Sequence, residues 1–188
     1  MYPSSKARSI GVSNFTVAHL EALKRTAVVW PPSVNQVECH PLYQQAALRE
    51  YCAKEGIVLQ AYASLGGQDA SKATWAALGG RLLDAPPVLA AAARAQGRAA
   101  TEGGEGGEGG EGAAVTPAQV LLRWALQKGA AVVPKTGSAA RMAENAAIFH
   151  FELSAAEVAA IDALAANAPD GSGRLCWVND PLRMLEFE

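Results

Sequence analysis

Residues 132–145 read VVPKTGSAARMAEN, and they lead from a short apolar strand through a lysine and a small-residue turn into a helix. Backbone N–H groups at a helix start lack partners within the helix, and the aligned peptide dipoles place partial positive charge there, so such a start attracts phosphate. Lys135 at the strand end and Arg141 in the first helical turns add formal charge. The stretch therefore predicts an anion site between a strand and a helix.

The spacing within this helix adds a second prediction. Arg141, Glu144 and Asn145 are related as i, i+3 and i+4, which places their side chains on one helix face, where a single ligand can contact all three. Spacing alone leaves an alternative open. In that alternative, Lys135 and Arg141 are solvated surface charges, and Glu144 is a local salt-bridge partner.

Length and composition exclude several classes of protein. The chain has 188 residues, 50% of them hydrophobic and 18% charged, which is enough for one sizeable core in a single domain. A formal charge of −2 argues against a nucleic-acid surface. The first residues contain no signal-peptide core, and no apolar run approaches the roughly 18 residues of a spanning helix. We therefore expect a soluble, cytoplasmic protein with neither a nucleic-acid nor a membrane partner.

The cysteines predict neither a disulfide framework nor a metal site. Cys39, Cys52 and Cys176 are odd in number and lack CxxC spacing. Buried free thiols are the expected role.

Strand and helix patterns alternate along the chain. Helix boundaries are indicated by Gly56 as a C-terminal glycine, by the capping signature of Thr116 with Gln119, and by the capping box of Ser154 with Glu157. Residues 63–85 lack a sustained period and are predicted to form a long loop, 87–99 are predicted to be helical, and the tail from 167 is expected to be irregular. The predicted strands are residues 8–12, 34–38, 57–62 and 131–133. This alternation predicts an α/β fold with a parallel sheet.

A low-complexity segment interrupts this pattern at residues 101–114. It contains EGGEGGEGGEG, in which glycines maximise backbone entropy and glutamates repel one another. A flexible, solvated surface insert is expected. A functional acidic tail or a cation site is the alternative, although the segment offers no aromatic or basic partner.

Five motifs resemble, in order, the C-terminal half of an aldo-keto reductase: SIGVSNF, VNQVECHP, AYASLGG, TPAQVLLRWAL and VVPKTGSAARMAEN. The resemblance covers residues 9–182. It implies that residues 1–188 are part of an NADP-dependent oxidoreductase domain and form the C-terminal half of a (β/α)₈ TIM barrel, with about four parallel strands. In such barrels the sites lie at the C-terminal ends of the strands.

The resemblance also implies a site for NADPH. Ser13, Asn14 and Gln36 match positions that hydrogen-bond the nicotinamide carboxamide, and Tyr62 matches the aromatic residue on which the nicotinamide ring stacks. Leu65 and Gly66 match the loop that wraps the pyrophosphate, although the family's YSPLG is YASLG here.

The adenosine end is implied in the same way. Lys135, Thr136 and Arg141 match positions that hold the 2′-phosphate, and Glu144 and Asn145 match those that bind adenine. An arginine at this place favours NADPH over NADH.

The resemblance places the family's catalytic Asp, Tyr, Lys and His in the half that this chain does not resemble, so we predict no catalytic residue and no metal site here. His40 matches a structural family position.

The expected activity is NADPH-dependent reduction of a small-molecule aldehyde or ketone in a complete barrel. A non-catalytic NADPH-binding or interaction module, or an inactive fragment of a truncated gene model, are the alternatives. Open sheet edges would favour self-association.

Overall fold

A four-stranded parallel sheet organises the chain. The computed structural model describes residues 7–67, 75, 79–101, 114–168 and 173–176. Within these ranges the strands lie side by side in chain order, each parallel to its neighbour. They are β1 (Val12–Ser13), β2 (Val34–Glu38), β3 (Val58–Tyr62) and β4 (Ala131–Val132).

Helices separate the strands, which confirms the predicted α/β alternation. In the described ranges, one helix lies between β1 and β2, one between β2 and β3, two between β3 and β4, and two after β4. They are α1 (Val17–Thr26), α2 (Ala46–Glu55), α3 (Pro86–Thr101), α4 (Pro117–Gln127), α5 (Ala139–Ala146) and α6 (Ala155–Asp162), with short 3₁₀ turns at Leu82–Asp84 and Ala163–Asn167.

The predicted helix boundaries are confirmed where a local cap defines them. Thr116 and Ser154 both form capping boxes with the residue three positions later, and Gly56 ends α2 in the left-handed conformation with φ 73°. The structure adds a capping box that the sequence did not suggest, because the ring of His19 reaches back to the backbone N–H of Thr16.

Other predicted boundaries were wrong. Only Val12 and Ser13 pair with β2, so the first strand is shorter than 8–12 and ends one residue later. The predicted loop at 63–85 contains the 3₁₀ turn Leu82–Asp84, because Leu82 is buried in the core.

The sheet has one face covered by α1 and α2. Val37, Leu59 and Ala61 are buried there against Leu20 and Cys52. Because successive strand residues point to opposite faces, Gln36, Gln60 and Tyr62 lie on the other face. A second buried cluster joins α3, α4 and α6 around Trp124.

Cys39, Cys52 and Cys176 are buried free cysteines, as predicted.

Most of the low-complexity segment at 101–114, and most of the tail after 167, lie outside the described residues. No helix in the described ranges combines the length and apolar character needed to cross a bilayer.

Candidate functional site

A cleft of about 440 Å³ opens where β3 and β4 end and α5 begins. We name it the cationic cleft, because three of its described lining residues are Arg81, Lys135 and Arg141. The predicted site residues that line it are Tyr62, Leu65, Lys135, Thr136, Arg141, Glu144 and Asn145. The structure thus brings together the aromatic residue that ends β3 and the polar residues around the start of α5.

Local hydrogen bonds shape the turn that precedes α5. The hydroxyl of Thr136 accepts from the backbone N–H of Ser138 at 3.1 Å. The hydroxyl of Ser138 in turn accepts from the backbone N–H of Arg141 at 3.4 Å. Ser138 is therefore the N-cap of α5. The cap fixes the first turn, and the helical spacing then brings Arg141, Glu144 and Asn145 to the same cleft.

Glu144 is held in place by α4. The Thr116 hydroxyl, which caps α4, donates to Oε1 of Glu144 at 2.7 Å, and Nε2 of Gln119 donates to the Glu144 backbone carbonyl at 3.1 Å. Among the described lining residues, Glu144 is the one carboxylate beside three cations. The cleft therefore carries an excess of positive charge, which suits an anionic ligand.

Tyr62 connects the cationic cleft to a neighbouring cleft of about 420 Å³. Its hydroxyl donates to Oδ1 of Asn14 at 3.0 Å, and Asn14 also lines the neighbouring cleft. Burial, with a smaller contribution from the charge of Glu38, raises the pKa of Tyr62 to about 12. The phenol thus remains protonated at neutral pH and keeps its role as a donor.

The residues at the end of β1 converge on one carbonyl of β2. The hydroxyl of Ser13 and the backbone N–H of Asn14 each donate to the carbonyl of Gln36 at 2.9 Å. The Gln36 side chain donates to Oε1 of Gln60. Ser13 and Gln36 are not among the lining residues of either cleft, so only Asn14 of this predicted trio reaches one.

The turn after β3 requires glycine. Gly66 donates its N–H to the Ala63 carbonyl at 2.8 Å and has φ +94°. A Cβ on Gly66 would lie 2.7 Å from the ring of Trp75. Gly66 itself is not a lining residue, whereas Leu65 and Gly67 are. Ser64, which departs from the family's motif, is buried and donates to the Ala61 carbonyl at 3.1 Å.

A buried carboxylate next to the clefts was not predicted. Oε1 of Glu38 accepts from the backbone N–H groups of Leu175 and Cys176 at 2.6 and 2.9 Å. Cys176 lines the cationic cleft and Arg174 lines the neighbouring one. Glu38 therefore ties a segment near the C-terminus to the sheet between the two clefts. Nothing in the sequence relates Glu38 to that segment.

Arg81 was also missed as a lining residue of the cationic cleft. It follows two glycines in a segment without helical or strand period, which offers no signal for its position.

The part of the chain that the structure describes contains no group of three or more His, Cys, Asp or Glu side chains arranged to hold a metal.

Known proteins resemble this chain over most of its length. Residues 4–166 match the model of the Aldo/keto reductase family. Glyoxal reductase of Bacillus subtilis is 40% identical over 164 residues, which are 87% of this chain and 48% of that protein. An aldo-keto reductase of Mycolicibacterium vanbaalenii is 41% identical over 157 residues, covering 84% of this chain and 45% of that protein.

Solved structures agree with the sequence comparison. The crystal structure of an aldo/keto reductase from Brucella melitensis superimposes with a TM-score of 0.65 at 32% identity, covering 86% of this chain and 50% of that one. The chain spans about half the length of the relatives that it matches. Since the family match extends over most of its residues, this chain belongs to the aldo/keto reductase family.

Proposed function

We propose that this chain binds NADPH in the cationic cleft and forms the cofactor-binding half of a reductase that converts aldehydes or ketones to alcohols. The convergence of Lys135, Arg141, Glu144 and Tyr62 on one cleft carries this proposal. Family membership supports an oxidoreductase role. The nucleotide and the class of substrate are our inference.

The donor set fits the adenosine end of NADPH. The 2′-phosphate is a dianion with three oxygens, and Lys135, Arg141 and the Thr136 hydroxyl supply cations and a donor at the start of α5. The carboxylate of Glu144 accepts from Thr116, and its remaining lone pairs can accept from the adenine amino group. Asn145, on the same helix face, offers an amide to the adenine ring.

The nicotinamide end fits the junction between the two clefts. Tyr62 lines both clefts, and its hydroxyl is directed to Asn14, so its ring is held in one orientation. A fixed aromatic ring suits stacking on one face of nicotinamide. When bound, NADPH would supply the hydride, while the residues of this chain bind and orient the nucleotide.

Reduction of a carbonyl also needs a proton donor, which typically contributes a factor of about 10² to 10⁴ to the rate. His40 is not suited to this role, because it is fully buried and paired with Glu38. We propose that the acid belongs to the half of the family's domain that this chain does not match. The chain alone would then bind NADPH and not turn over a carbonyl substrate.

Binding is tested by titrating the purified chain with NADPH and NADH while following nucleotide fluorescence. Arg141→Ala should weaken NADPH binding by roughly 1.5 to 3 kcal/mol, as expected for a hydrogen bond to a charged group, and should leave NADH binding almost unchanged. Arg25→Ala is the matched control, because Arg25 is an exposed arginine at the end of α1. Equal losses for both nucleotides would contradict the assignment of Arg141 to the 2′-phosphate.

Activity is tested separately. NADPH oxidation with a reactive aromatic aldehyde is followed for the chain alone and for a fusion with the first half of a homologous aldo-keto reductase. We expect turnover in the fusion only. Comparable turnover by the chain alone would overturn the proposed division of roles, whereas binding without turnover in the fusion would favour a non-catalytic NADPH-binding module.

A further inference from the structure

Arg81 supplies a third cation to the cationic cleft from a different segment of the chain than Lys135 and Arg141. It precedes the 3₁₀ turn Leu82–Asp84, and its carbonyl accepts from the N–H of Asp84 at 2.8 Å. The next residue, Leu82, is 3% exposed and belongs to the core. The hydrogen bond from Asp84 and the burial of Leu82 thus hold the backbone of Arg81 in place. Its side chain is exposed at the cleft.

The guanidinium of Arg81 is available to a ligand. Within the described residues, no carboxylate forms an ion pair with it and no side-chain hydrogen bond uses it. Glu144, the carboxylate among the described lining residues, already accepts from Thr116. A solvated arginine would be the ordinary explanation for a lone surface position. Here, however, Arg81 and Leu83 both line a cleft that two other cations also line.

Its place along the cleft distinguishes Arg81 from the other cations. Lys135 and Arg141 flank the start of α5, whereas Arg81 comes from the segment between β3 and α3 that also contributes Leu65 and Gly67. Tyr62, the last residue of β3, directly precedes that segment. The turn that follows Arg81 packs against this segment, since a Cβ on Gly66 would lie 3.4 Å from Cβ of Leu82. If nicotinamide lies on Tyr62 and the 2′-phosphate lies at α5, the pyrophosphate that joins the two halves of the dinucleotide lies between these two ends of the cleft.

We propose that Arg81 contacts the pyrophosphate of the bound dinucleotide, an inference that rests on the proposed binding of NADPH in this cleft. A guanidinium presents a planar fork of donors that matches two phosphate oxygens at once, which a lysine cannot do. The pyrophosphate is common to NADPH and NADH. Arg81 therefore contributes affinity for both nucleotides and does not select between them, unlike Arg141.

The test compares four ligands: NADPH, NADH, ADP and adenosine 2′-monophosphate, the last of which has the 2′-phosphate and no pyrophosphate. In Arg81→Ala, the dissociation constants of NADPH, NADH and ADP should each rise on the order of tenfold, equivalent to about 1.4 kcal/mol. The constant for adenosine 2′-monophosphate should stay within about twofold of the unchanged protein. Arg141→Ala should show the reverse pattern, with adenosine 2′-monophosphate and NADPH affected.

Two further variants guard against a folding defect. Arg81→Gln removes the charge and keeps the side-chain length, and should behave as Arg81→Ala, while Arg81→Lys should recover part of the affinity. Arg25→Ala again controls for loss of one surface arginine, and circular dichroism checks the fold of each variant. Unchanged NADPH and NADH binding in both Arg81→Ala and Arg81→Gln, or a loss confined to NADPH, would overturn the role of Arg81. Failure of the unchanged protein to bind NADPH would instead overturn the proposed function and this inference with it.

Discussion

Nε2 of His40 donates a hydrogen bond to Oε1 of Glu38 across 3.0 Å, with both side chains almost completely buried. The same carboxylate oxygen accepts from the backbone N–H groups of Leu175 and Cys176. One oxygen of this carboxylate therefore accepts from an imidazole and from two buried backbone N–H groups, while Oε2 of Glu38 and Nδ1 of His40 are buried without a hydrogen-bond partner among the described residues. Burial of such a group is tolerated only while its partners stay in place.

Glu38→Ala should lower the free energy of unfolding by about 3 kcal/mol or more, because it leaves two buried backbone donors and His40 without an acceptor. Glu38→Gln should lose less, since its amide oxygen can still accept. Urea unfolding followed by far-ultraviolet circular dichroism measures both. Lys24→Ala is the control: Nζ of Lys24 pairs with Glu55 at 2.8 Å, but the Lys24 side chain is 40% exposed, so removal of this surface ion pair should cost clearly less than Glu38→Ala. Equal costs for Glu38→Ala and Lys24→Ala would contradict the central role of Glu38.

Thr116→Ala should affect both stability and nucleotide binding. The hydroxyl caps α4 by accepting from the N–H of Gln119, and loss of such a cap costs about 0.5 to 2 kcal/mol. The same hydroxyl orients Glu144, so NADPH binding should weaken by roughly two- to tenfold, the range for one hydrogen bond. Thr116→Ser keeps the hydroxyl and should restore both properties. Thermal melting and nucleotide titration provide the two measurements, and normal binding by Thr116→Ala would show that Glu144 needs no support from α4.

Stability should fall at alkaline pH. Burial raises the pKa of the Cys39 thiol from 9.0 to about 11 and that of Tyr62 from 10.0 to about 12. Both groups are neutral in the folded protein and ionise more readily when unfolded, so their contribution is complete below pH 9 and is lost as the pH rises through 11 to 12. Urea midpoints between pH 8 and pH 11 measure this loss. Cys39→Ala should reduce the slope from pH 9 upward, and an unchanged slope would exclude Cys39 as a cause.

The chain alone should self-associate. Within the described residues, β1 and β4 each pair with a single neighbouring strand, which leaves two open edges. Apolar side chains lie beside them: Ile10, before β1, is 52% exposed and Val133, after β4, is 38% exposed. We expect sedimentation velocity to show species larger than the 19.5 kDa monomer. Ile10→Lys should shift the distribution toward monomer, and fusion with a homologous first half should do so more completely. A monomer at every concentration tested would contradict this expectation.

Several features follow from the sequence because the interactions that create them are local. The caps at Thr116 and Ser154 involve residues three positions apart, so their residue types alone predicted where α4 and α6 begin. The helical spacing of Arg141, Glu144 and Asn145 predicted that they share a face, and all three line the cationic cleft. The alternation of apolar runs with helical periods predicted the parallel α/β sheet.

Other features depend on segments that are distant in the chain and meet only in the folded protein. Tyr62 donates to Asn14, which is 48 positions away, and Glu38 accepts from residues 137 and 138 positions away. No local pattern encodes such a meeting, because it depends on how the sheet and its covering helices pack. For the same reason the sequence did not indicate that Arg81 lines the same cleft as Lys135 and Arg141, or that β1 would keep only two residues paired with β2. Local residue chemistry determined where helices start and which of their side chains share a face, and tertiary packing decided which of those side chains meet in a site.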